Sequence, residues 1–400
     1  MSPAVDSATY LDRYAHSVMG VFGRPKAVLT RGEGCYVWDA DGKRYLDLLA
    51  GIAVNVLGHG HPDVVDAVCK QAGSLIHVSN FFATPPQIEL AERLLAVAGA
   101  PDGSAVFFGN SGTEAIEAAI KLSRRTGRTA LVAAEASFHG RTTGALALTH
   151  KHAYREPFAP LIPSVTHVPL NDERALRAAV TEDVAALFLE PIQGEAGVVA
   201  ADAAYLQLAR ELTTATGTLL ILDEVQTGVG RTGTWFAFQQ AGIVPDAITV
   251  AKGLGGGVPI GALLTFGPTV SGLLTAGQHG STFGGNPLAT AAGLAVLDAI
   301  DRDGLLAHAT SVGNHLADSV AALGHPLISG VRGVGLLRAI VLSADVAAIV
   351  ADRALTAGFI INAPTPDALR FAPPLIVTVA QVDEFVAALP QLLNGLGVAS

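Results

Sequence analysis

Cysteine is nearly absent from this chain of 400 residues, in which only Cys35 and Cys69 occur. Two cysteines cannot make a disulfide framework, and neither stands in a CxxC or Cys/His pattern that would bind zinc. We therefore expect no metal site and a reducing, cytoplasmic setting. The N-terminal segment MSPAVDSATYLDRY lacks the basic start and apolar run of a secretory signal, so we also expect no targeting segment.

Positive charge is scarce as well, with 25 Lys and Arg against 35 Asp and Glu, a formal net charge of -10. An acidic surface repels nucleic acid and anionic membranes, so we expect a small-molecule ligand instead. Residues 253–278 carry no charge and are long enough to cross a bilayer, but Pro259, Pro268 and several glycines interrupt them. A segment interrupted in this way would leave backbone polar groups unpaired in lipid, which argues against a transmembrane helix. We expect instead that the segment is buried beside a ligand or at a subunit interface.

Short apolar runs alternate with helix-like segments, such as SAVFFGN before TEAIEAAIKLSRRTG and VAALFLEP before AAYLQLARELTTATG. This alternation predicts an α/β fold with a mainly parallel sheet covered by helices. The segment GCYVWDADGKRYLDLL instead predicts an antiparallel hairpin, and the C-terminal part mixes strands with a closing helix. Because the length exceeds what one core usually serves, we predict a large domain at 56–290 and a smaller α+β domain from 1–55 and 291–400.

Reactive side chains follow two of the predicted strands. TLLILDEV contains Asp223 at the end of an apolar run, and AITV is followed by Lys252. Ligands of open α/β sheets bind at the carboxyl ends of strands, so both residues should reach one crevice. Burial lowers the pKa of a lysine, and its neutral amine can then form a Schiff base with a carbonyl group. A nearby carboxylate can keep the ring nitrogen of a pyridine cofactor protonated. Taken singly, Lys252 could be a surface lysine and Asp223 a helix cap or an ion-pair partner. Together they favour a cofactor with a reactive carbonyl, such as pyridoxal 5'-phosphate (PLP), which would be held as a Schiff base on Lys252.

A Gly/Ser/Thr turn, GNSGTE, lies between the strand SAVFF and a helix. Ser111, Gly112 and Thr113 would present backbone N–H groups and hydroxyls to a phosphate at the helix N-terminus. A plain N-cap is the alternative interpretation. The run GLGGG after a strand raises a dinucleotide-binding oxidoreductase as a rival, but its glycines do not follow G-x-G-x-x-G.

The chain resembles the class III, or subgroup II, aminotransferases of PLP fold type I. The resemblance rests on NSGTEA (110–115), FHGR (138–141), EPIQGE (190–195), LILDEVQTGVGRTG and AKGLGGG, and it covers nearly the whole chain. It implies a homodimer with shared active sites. A PLP fold kept only as an interaction module would ordinarily lose Lys252 or Asp223, and both are present.

The resemblance also implies which residues bind the cofactor. Phe138 would stack on the pyridine ring, Gln226 would lie near the ring oxygen, and Thr282 would reach the phosphate of the neighbouring subunit. The full set of cofactor-binding residues is Ser111, Gly112, Thr113, Phe138, Asp223, Glu224, Val225, Gln226, Lys252 and Thr282, with Lys252 and Asp223 catalytic.

Three further segments, GIAVNVLGHGHP, HGSTFGGNPLA and LRFAPPL, match family members that act on N2-acetylornithine. This implies ping-pong transfer of the terminal amine to 2-oxoglutarate, giving N-acetylglutamate 5-semialdehyde and glutamate, in arginine biosynthesis. Arg141 would bind the distant α-carboxylate of acetylornithine, and Arg370 the α-carboxylate of glutamate. Glu195 would pair with Arg370 while the amine donor is bound, and Ser281 would also contact substrate. Exposed charges without such roles are the alternative.

The amine donor is the least determined feature. By its spacing to the segment RGEG, Phe22 falls where ornithine aminotransferases carry a tyrosine that contacts a free α-amino group. Phenylalanine cannot make that hydrogen bond, which favours an acylated donor. Ornithine, succinyl-diaminopimelate, succinylornithine and 4-aminobutyrate stay open. We interpret His59 and His61 as structural, and His139 as either a contact behind Phe138 or a satisfied polar group.

Overall fold

The computed structural model describes residues 6–396. Its α-helices are α1 (Ser7–Ser17), α2 (Ala50–Ala53), α3 (Pro62–Ser74), α4 (Pro85–Ala98), α5 (Gly112–Arg124), α6 (Thr143–Leu148), α7 (His152–Arg155), α8 (Glu173–Ala179), α9 (Ala203–Thr216), α10 (Pro268–Ser271), α11 (Pro287–Arg302), α12 (Leu305–Ala322), α13 (Ala347–Ala357) and α14 (Val379–Leu393). Short 3-10 helices cover Gly20–Phe22, Glu156–Phe158, Ala237–Ala241 and Lys252–Gly255.

Within residues 6–396 the strands form four sheets. They are β1 (Leu29–Glu33), β2 (Tyr36–Asp39), β3 (Arg44–Asp47), β4 (Ala105–Gly109), β5 (Ala130–Ala134), β6 (Val165–Val168), β7 (Val184–Leu189), β8 (Ile192–Gln193), β9 (Val199–Ala200), β10 (Leu219–Asp223), β11 (Ala247–Val250), β12 (Gly261–Thr265), β13 (Ile328–Val334), β14 (Leu337–Leu342), β15 (Phe359–Ile360), β16 (Asn362–Thr365) and β17 (Ala368–Phe371).

The largest sheet has the strand order β4-β12-β11-β10-β7-β5-β6. Strands β11, β10, β7, β5 and β6 run parallel, whereas β12 is antiparallel to both β11 and β4. All residues of β7 and β10 are buried, as expected for strands covered by helices on both faces. The predicted α/β class with a mainly parallel central sheet is confirmed.

The uncharged stretch 253–278 lies within this sheet region. Its first part contains the buried strand β12 and the turn that precedes it, whereas residues 267–278 are mostly exposed or half-buried. Across residues 6–396, every helix is too short or too polar to cross a membrane.

The N-terminal and C-terminal segments meet in a second structural unit. Strands β2 and β3 form the predicted antiparallel hairpin, and β15 from the C-terminal segment pairs in parallel with β3. A further antiparallel sheet has the order β13-β14-β17-β16. Helix α11 runs across the predicted boundary at 290/291 and packs against α3 and α4, and the domain limits stay a prediction.

Strand β17 is buried along its whole length between β14 and β16. Phe371 packs edge-on against Phe385 of α14, with ring centroids 4.9 Å apart. The residue before it, Arg370, faces the opposite side of the strand because successive side chains alternate. An apolar anchor on one face of β17 therefore fixes a charged side chain on the other.

Candidate active site

Asp223 ends β10 at the carboxyl edge of the central sheet and is only 5% exposed. Its Oδ1 accepts hydrogen bonds from Thr249 Oγ1 at 3.1 Å and from the Val225 N–H at 3.0 Å, and its Oδ2 lies 2.7 Å from His139 Nδ1. These partners stabilise an ionised carboxylate in a buried place. Burial lowers the pKa of His139, but its bond to Asp223 and the nearby Glu190 raise it more, so the net direction is upward.

Lys252 opens the 3-10 helix that follows β11, with a φ of 42° that non-glycine residues rarely adopt. The residue as a whole is half-buried, because one side of its side chain borders the cavity. Its amine is nevertheless surrounded by protein atoms. Burial therefore lowers the pKa of Lys252 to about 8; Arg370 contributes in the same direction, while nearby carboxylates oppose it. A lysine in this state is a good nucleophile near neutral pH.

Lys252 and Asp223 line the same cavity, which has a volume of about 400 Å³. Phe138 and Gln226 also line it, together with the turn at 110–113. The structure thus brings most of the sequence-predicted cofactor-binding residues around one space. Their individual roles stay predictions.

Ser111 caps α5, and its side chain accepts a hydrogen bond from the Glu114 N–H at 3.3 Å. The N-cap interpretation therefore holds, yet the same turn borders the cavity and directs the positive end of a helix dipole toward it. A Cβ atom at Gly112 would lie 2.8 Å from Val225 Cγ1, so only glycine lets the turn approach so closely. The Thr113 hydroxyl is 2.7 Å from that of Thr142.

Glu195 and Arg370 form an ion pair, with 2.6 Å between Glu195 Oε1 and Arg370 Nη1. Arg370 is fully buried and also donates to Gln226 Oε1 at 3.2 Å and to Asn362 Oδ1 at 3.1 Å. Within residues 6–396, its buried Nη2 has no hydrogen-bond partner. Burial opposes ionisation of Glu195, but Arg370 outweighs it and lowers the pKa of that carboxyl.

Arg141 lines the cavity from an exposed position. Its guanidinium lies 3.6 Å from the ring centroid of Tyr154 and 5.5 Å from that of Phe138, in cation–π geometry. Tyr154 was missed in the sequence, because stacking between a loop residue and a residue of the short helix α7 leaves no motif.

Ser281 and Thr282 lie on a loop beside the turn at 110–113, which is the predicted phosphate site. Ser281 Oγ accepts a hydrogen bond from Asn110 Nδ2 at 3.1 Å. Thr282 is exposed and does not line the cavity of its own chain. Its predicted reach into a neighbouring subunit stays a prediction.

Glu224 lies apart from the other predicted residues. It is fully buried but does not line the cavity, and its carboxylate accepts hydrogen bonds from the Phe238 N–H at 2.8 Å and from the Thr227 hydroxyl. Burial raises the pKa of Glu224 to about 7. Its side chain holds the segment that follows β10 rather than facing the cavity.

Two residues near Asp223 extend the predicted set. His139 Nδ1 bonds directly to Asp223 Oδ2, so this histidine contacts a predicted catalytic residue, and its role stays a prediction. Glu190 was missed, although it follows the buried strand β7 much as Asp223 ends β10, and that shared position was the available signal. His59 pairs with Asp47 at 2.9 Å, in agreement with a structural role.

The sequence model of the Aminotransferase class-III family matches residues 21–393, and the chain belongs to this family. The predicted family and the prediction of an aminotransferase are confirmed, and membership implies a PLP cofactor. The chain is 55% identical to the acetylornithine aminotransferase of Mycobacterium tuberculosis (strain H37Rv) over 388 residues, 97% of each chain. It is 54% identical to the acetylornithine aminotransferase of Streptomyces coelicolor over 384 residues, covering 96% of this chain and 95% of the relative.

Solved structures show the same likeness. The N-acetylornithine aminotransferase from Stenotrophomonas maltophilia K279a has a TM-score of 0.82 and 38% identity, covering 94% of this chain and 98% of that one. The ornithine aminotransferase from Toxoplasma gondii ME49 has a TM-score of 0.92 and 30% identity, covering 97% and 95%. The fold therefore does not separate the two donors.

The low pKa of Lys252 predicts that its amine reacts with carbonyls at unusually low pH. With a pKa of about 8, the neutral fraction rises from about 10% at pH 7 to about 90% at pH 9. We expect reductive methylation of Lys252 by formaldehyde in the apoprotein, followed by peptide mass spectrometry, to rise about tenfold over this range and then level off. A rate that keeps climbing beyond pH 9, as for a solvated lysine, would contradict this.

Proposed function

We propose that the chain transfers the terminal amino group of N2-acetylornithine to 2-oxoglutarate by a PLP-dependent ping-pong reaction, giving N-acetylglutamate 5-semialdehyde and L-glutamate in arginine biosynthesis. The observation that carries the proposal is the ion pair between Glu195 and Arg370 beside the cavity of Lys252. Arg370 would bind a substrate carboxylate when Glu195 moves aside and would be neutralised by Glu195 otherwise, which suits an enzyme with two unlike substrates. Relatives 48–55% identical over nearly their full length carry the name acetylornithine aminotransferase, which supports the donor.

The residues around the cavity fit PLP. The N-terminus of α5 suits the phosphate, Phe138 offers a ring to stack on the pyridine, and Asp223 is a fixed acceptor for a protonated ring nitrogen. Gln226, which also lines the cavity, would lie near the ring oxygen. When bound, PLP supplies an electron sink that stabilises negative charge at the substrate carbon.

Lys252 is the proposed acid–base group. Because burial holds its pKa near 8, the amine of Lys252 exchanges a proton readily at neutral pH. Its Nζ would take the proton from the substrate carbon that bears the amine and deliver it to the aldehyde-derived carbon of the cofactor. The carboxylates of Glu195 and Asp223 oppose the lowered pKa of Lys252 and keep it from falling further.

Two arginines would bind the two carboxylates. Arg141, held against Tyr154, would bind the α-carboxylate of acetylornithine at the far end of that substrate. Glu195 would pair with Arg370 during that half-reaction. When Glu195 moves away, Nη1 and the unpartnered Nη2 of Arg370 present a fork for bidentate binding of the glutamate α-carboxylate.

We also propose a homodimer with shared active sites. Phe22, Phe81, Phe82 and Phe283 are 60–91% exposed, an unusual amount of aromatic surface for a single chain. Asn80 ties the segment of Phe81 to the loop of Phe283 by donating to the Ser281 and Gly284 carbonyls at 3.1 and 3.0 Å. The apolar face of Phe81, Phe82 and Phe283 therefore lies next to the turn at 110–113. A second copy that covers this face would bring Thr282 to the partner's cavity.

Light scattering coupled to size exclusion should give twice the mass of one chain. We expect the double substitution Phe81→Ser/Phe82→Ser to yield monomers that retain PLP at least about tenfold more weakly, because a shared phosphate contact is lost. Phe158→Ser, at a phenylalanine that is 61% exposed elsewhere, is the control and should stay dimeric. A monomeric wild type would overturn the dimer.

The donor is tested by an amine panel with purified protein and the change in cofactor absorbance during the first half-reaction. We expect acetylornithine to react with a kcat/KM at least about tenfold above that of ornithine, because Phe22 cannot bond a free α-amino group. Ornithine is the alternative donor, given the TM-score of 0.92 to an ornithine aminotransferase. Faster reaction of ornithine would replace the proposed donor.

Removing the charge of Glu195 should affect the two half-reactions unequally. In Glu195→Gln, Arg370 loses its partner during the acetylornithine half-reaction, so we expect kcat/KM for that half to fall about 10–100-fold. The glutamate half-reaction should be kept, because Glu195 has then moved away. Glu182→Gln, at an exposed position, is the control. Equal losses in both halves would refute the switching role.

A further inference from the structure

Glu190 and Asp223 are neighbours at the carboxyl edge of the central sheet. Leu189 at the end of β7 is in register with Leu222 of β10, so Glu190 and Asp223 come next on adjacent strands. Asp223 is in turn in register with Thr249 of β11. Both carboxyl groups line the cavity, and each residue is only 5% exposed. Two acids thus stand side by side away from solvent.

The two acids have unequal hydrogen bonding. Asp223 has three partners, the Thr249 hydroxyl, the Val225 N–H and His139 Nδ1. Glu190 accepts one bond, from the Phe138 N–H to Oε2 at 3.0 Å, and its Oε1 makes none with any part of residues 6–396. Hydrogen bonds to a carboxylate favour its ionised form. Two neighbouring carboxylates repel each other strongly when both are ionised in a buried place. Charge therefore settles on Asp223 and the proton on Glu190.

The charges that face Glu190 agree with this division. Burial raises the pKa of Glu190 to about 8, and Asp223 adds to the rise, whereas His139, the Phe138 N–H and Lys252 act in the opposite direction. At pH 7 about nine tenths of Glu190 is then protonated. The sign is that of a buried acid: the proton is present below pH 8 and is lost as pH rises through 8.

Glu224, the other buried acid nearby, does not share this place. It is bonded to the Phe238 N–H and the Thr227 hydroxyl and does not line the cavity. Glu190 is therefore the acid next to Asp223 whose proton would face the cavity.

We infer that Glu190 is a positioning residue that works as a neutral carboxylic acid, donating its proton into the cavity and leaving the negative charge of this pair on Asp223. A second negative charge beside Asp223 would stabilise the ammonium form of Lys252 and so withdraw the neutral amine. Protonated Glu190 avoids this while still filling the space. The part of the inference that concerns the bound ring rests on the proposed PLP site; the protonation of Glu190 does not.

Infrared difference spectroscopy of the apoprotein tests the protonation directly. We expect the wild type minus Glu190→Gln spectrum at pH 6 to contain the carbonyl stretch of one protonated carboxylic acid, and that band to disappear in wild type with a midpoint near pH 8. Glu195→Gln is the matched control: the same change beside the cavity, at an acid whose pKa is lowered by its ion pair with Arg370, should remove a carboxylate band instead. A Glu190 difference showing only carboxylate bands at pH 6 would overturn the inference.

The wild type alone keeps the test valid if Glu190→Gln folds poorly, because one of its protonated-acid bands must titrate near pH 8, separately from that of Glu224, whose pKa is raised to about 7. In the loaded protein, we expect the visible cofactor band to show a pH transition near 8 that Glu190→Gln abolishes or shifts by more than one unit. An unchanged transition in the variant would refute the effect of Glu190 on the site. Failure of the protein to bind PLP at all would instead refute the proposed function and leave the apoprotein result standing.

Discussion

Burying a carboxylate costs several kcal/mol unless hydrogen bonds replace its water, and the site depends on how Asp223 meets this requirement. The Thr249 hydroxyl, the Val225 N–H and His139 surround it at the end of a fully buried strand. Burial is the main cause of the shifted pKa values of Glu190 and Lys252, and the fixed negative charge adds to it by favouring a proton on Glu190 and moderating the lowered pKa of Lys252. The hydrogen bonds to Asp223 therefore also influence the protonation of its neighbours.

Much of this arrangement could be predicted from local pattern. The alternation of apolar runs with helical segments is visible in the local sequence. It predicted the parallel strands and the positions of Asp223 and Lys252 where two of them end. The direction of β12 did not, because its stretch 253–278 is uncharged throughout and carries no alternation that would mark one face. The pairing of β15 with β3 joins residues more than 300 positions apart and has no local signature.

The candidate site was predictable to a similar degree. Arg370 and Glu195 came from family resemblance, and only the fold places their charges 2.6 Å apart. Glu224 was grouped with Asp223, yet adjacent residues of a strand point to opposite faces, which explains its separation from the cavity. The same rule would have revealed Glu190 once the register of β7 and β10 was known. Stacking of Arg141 on Tyr154 depends on loop geometry that composition does not record.

The ion pair of Glu195 and Arg370 has a consequence for affinity. In the proposed function the Glu195 carboxylate occupies the place of a substrate carboxylate, which makes it a tethered competitor. The apparent affinity for 2-oxoglutarate is then the intrinsic affinity multiplied by the fraction of molecules in which the internal pair is open. Strengthening the pair would favour the amine donor and weaken binding of the acceptor. A change in the strength of this one pair would therefore shift both Michaelis constants at once, in opposite directions.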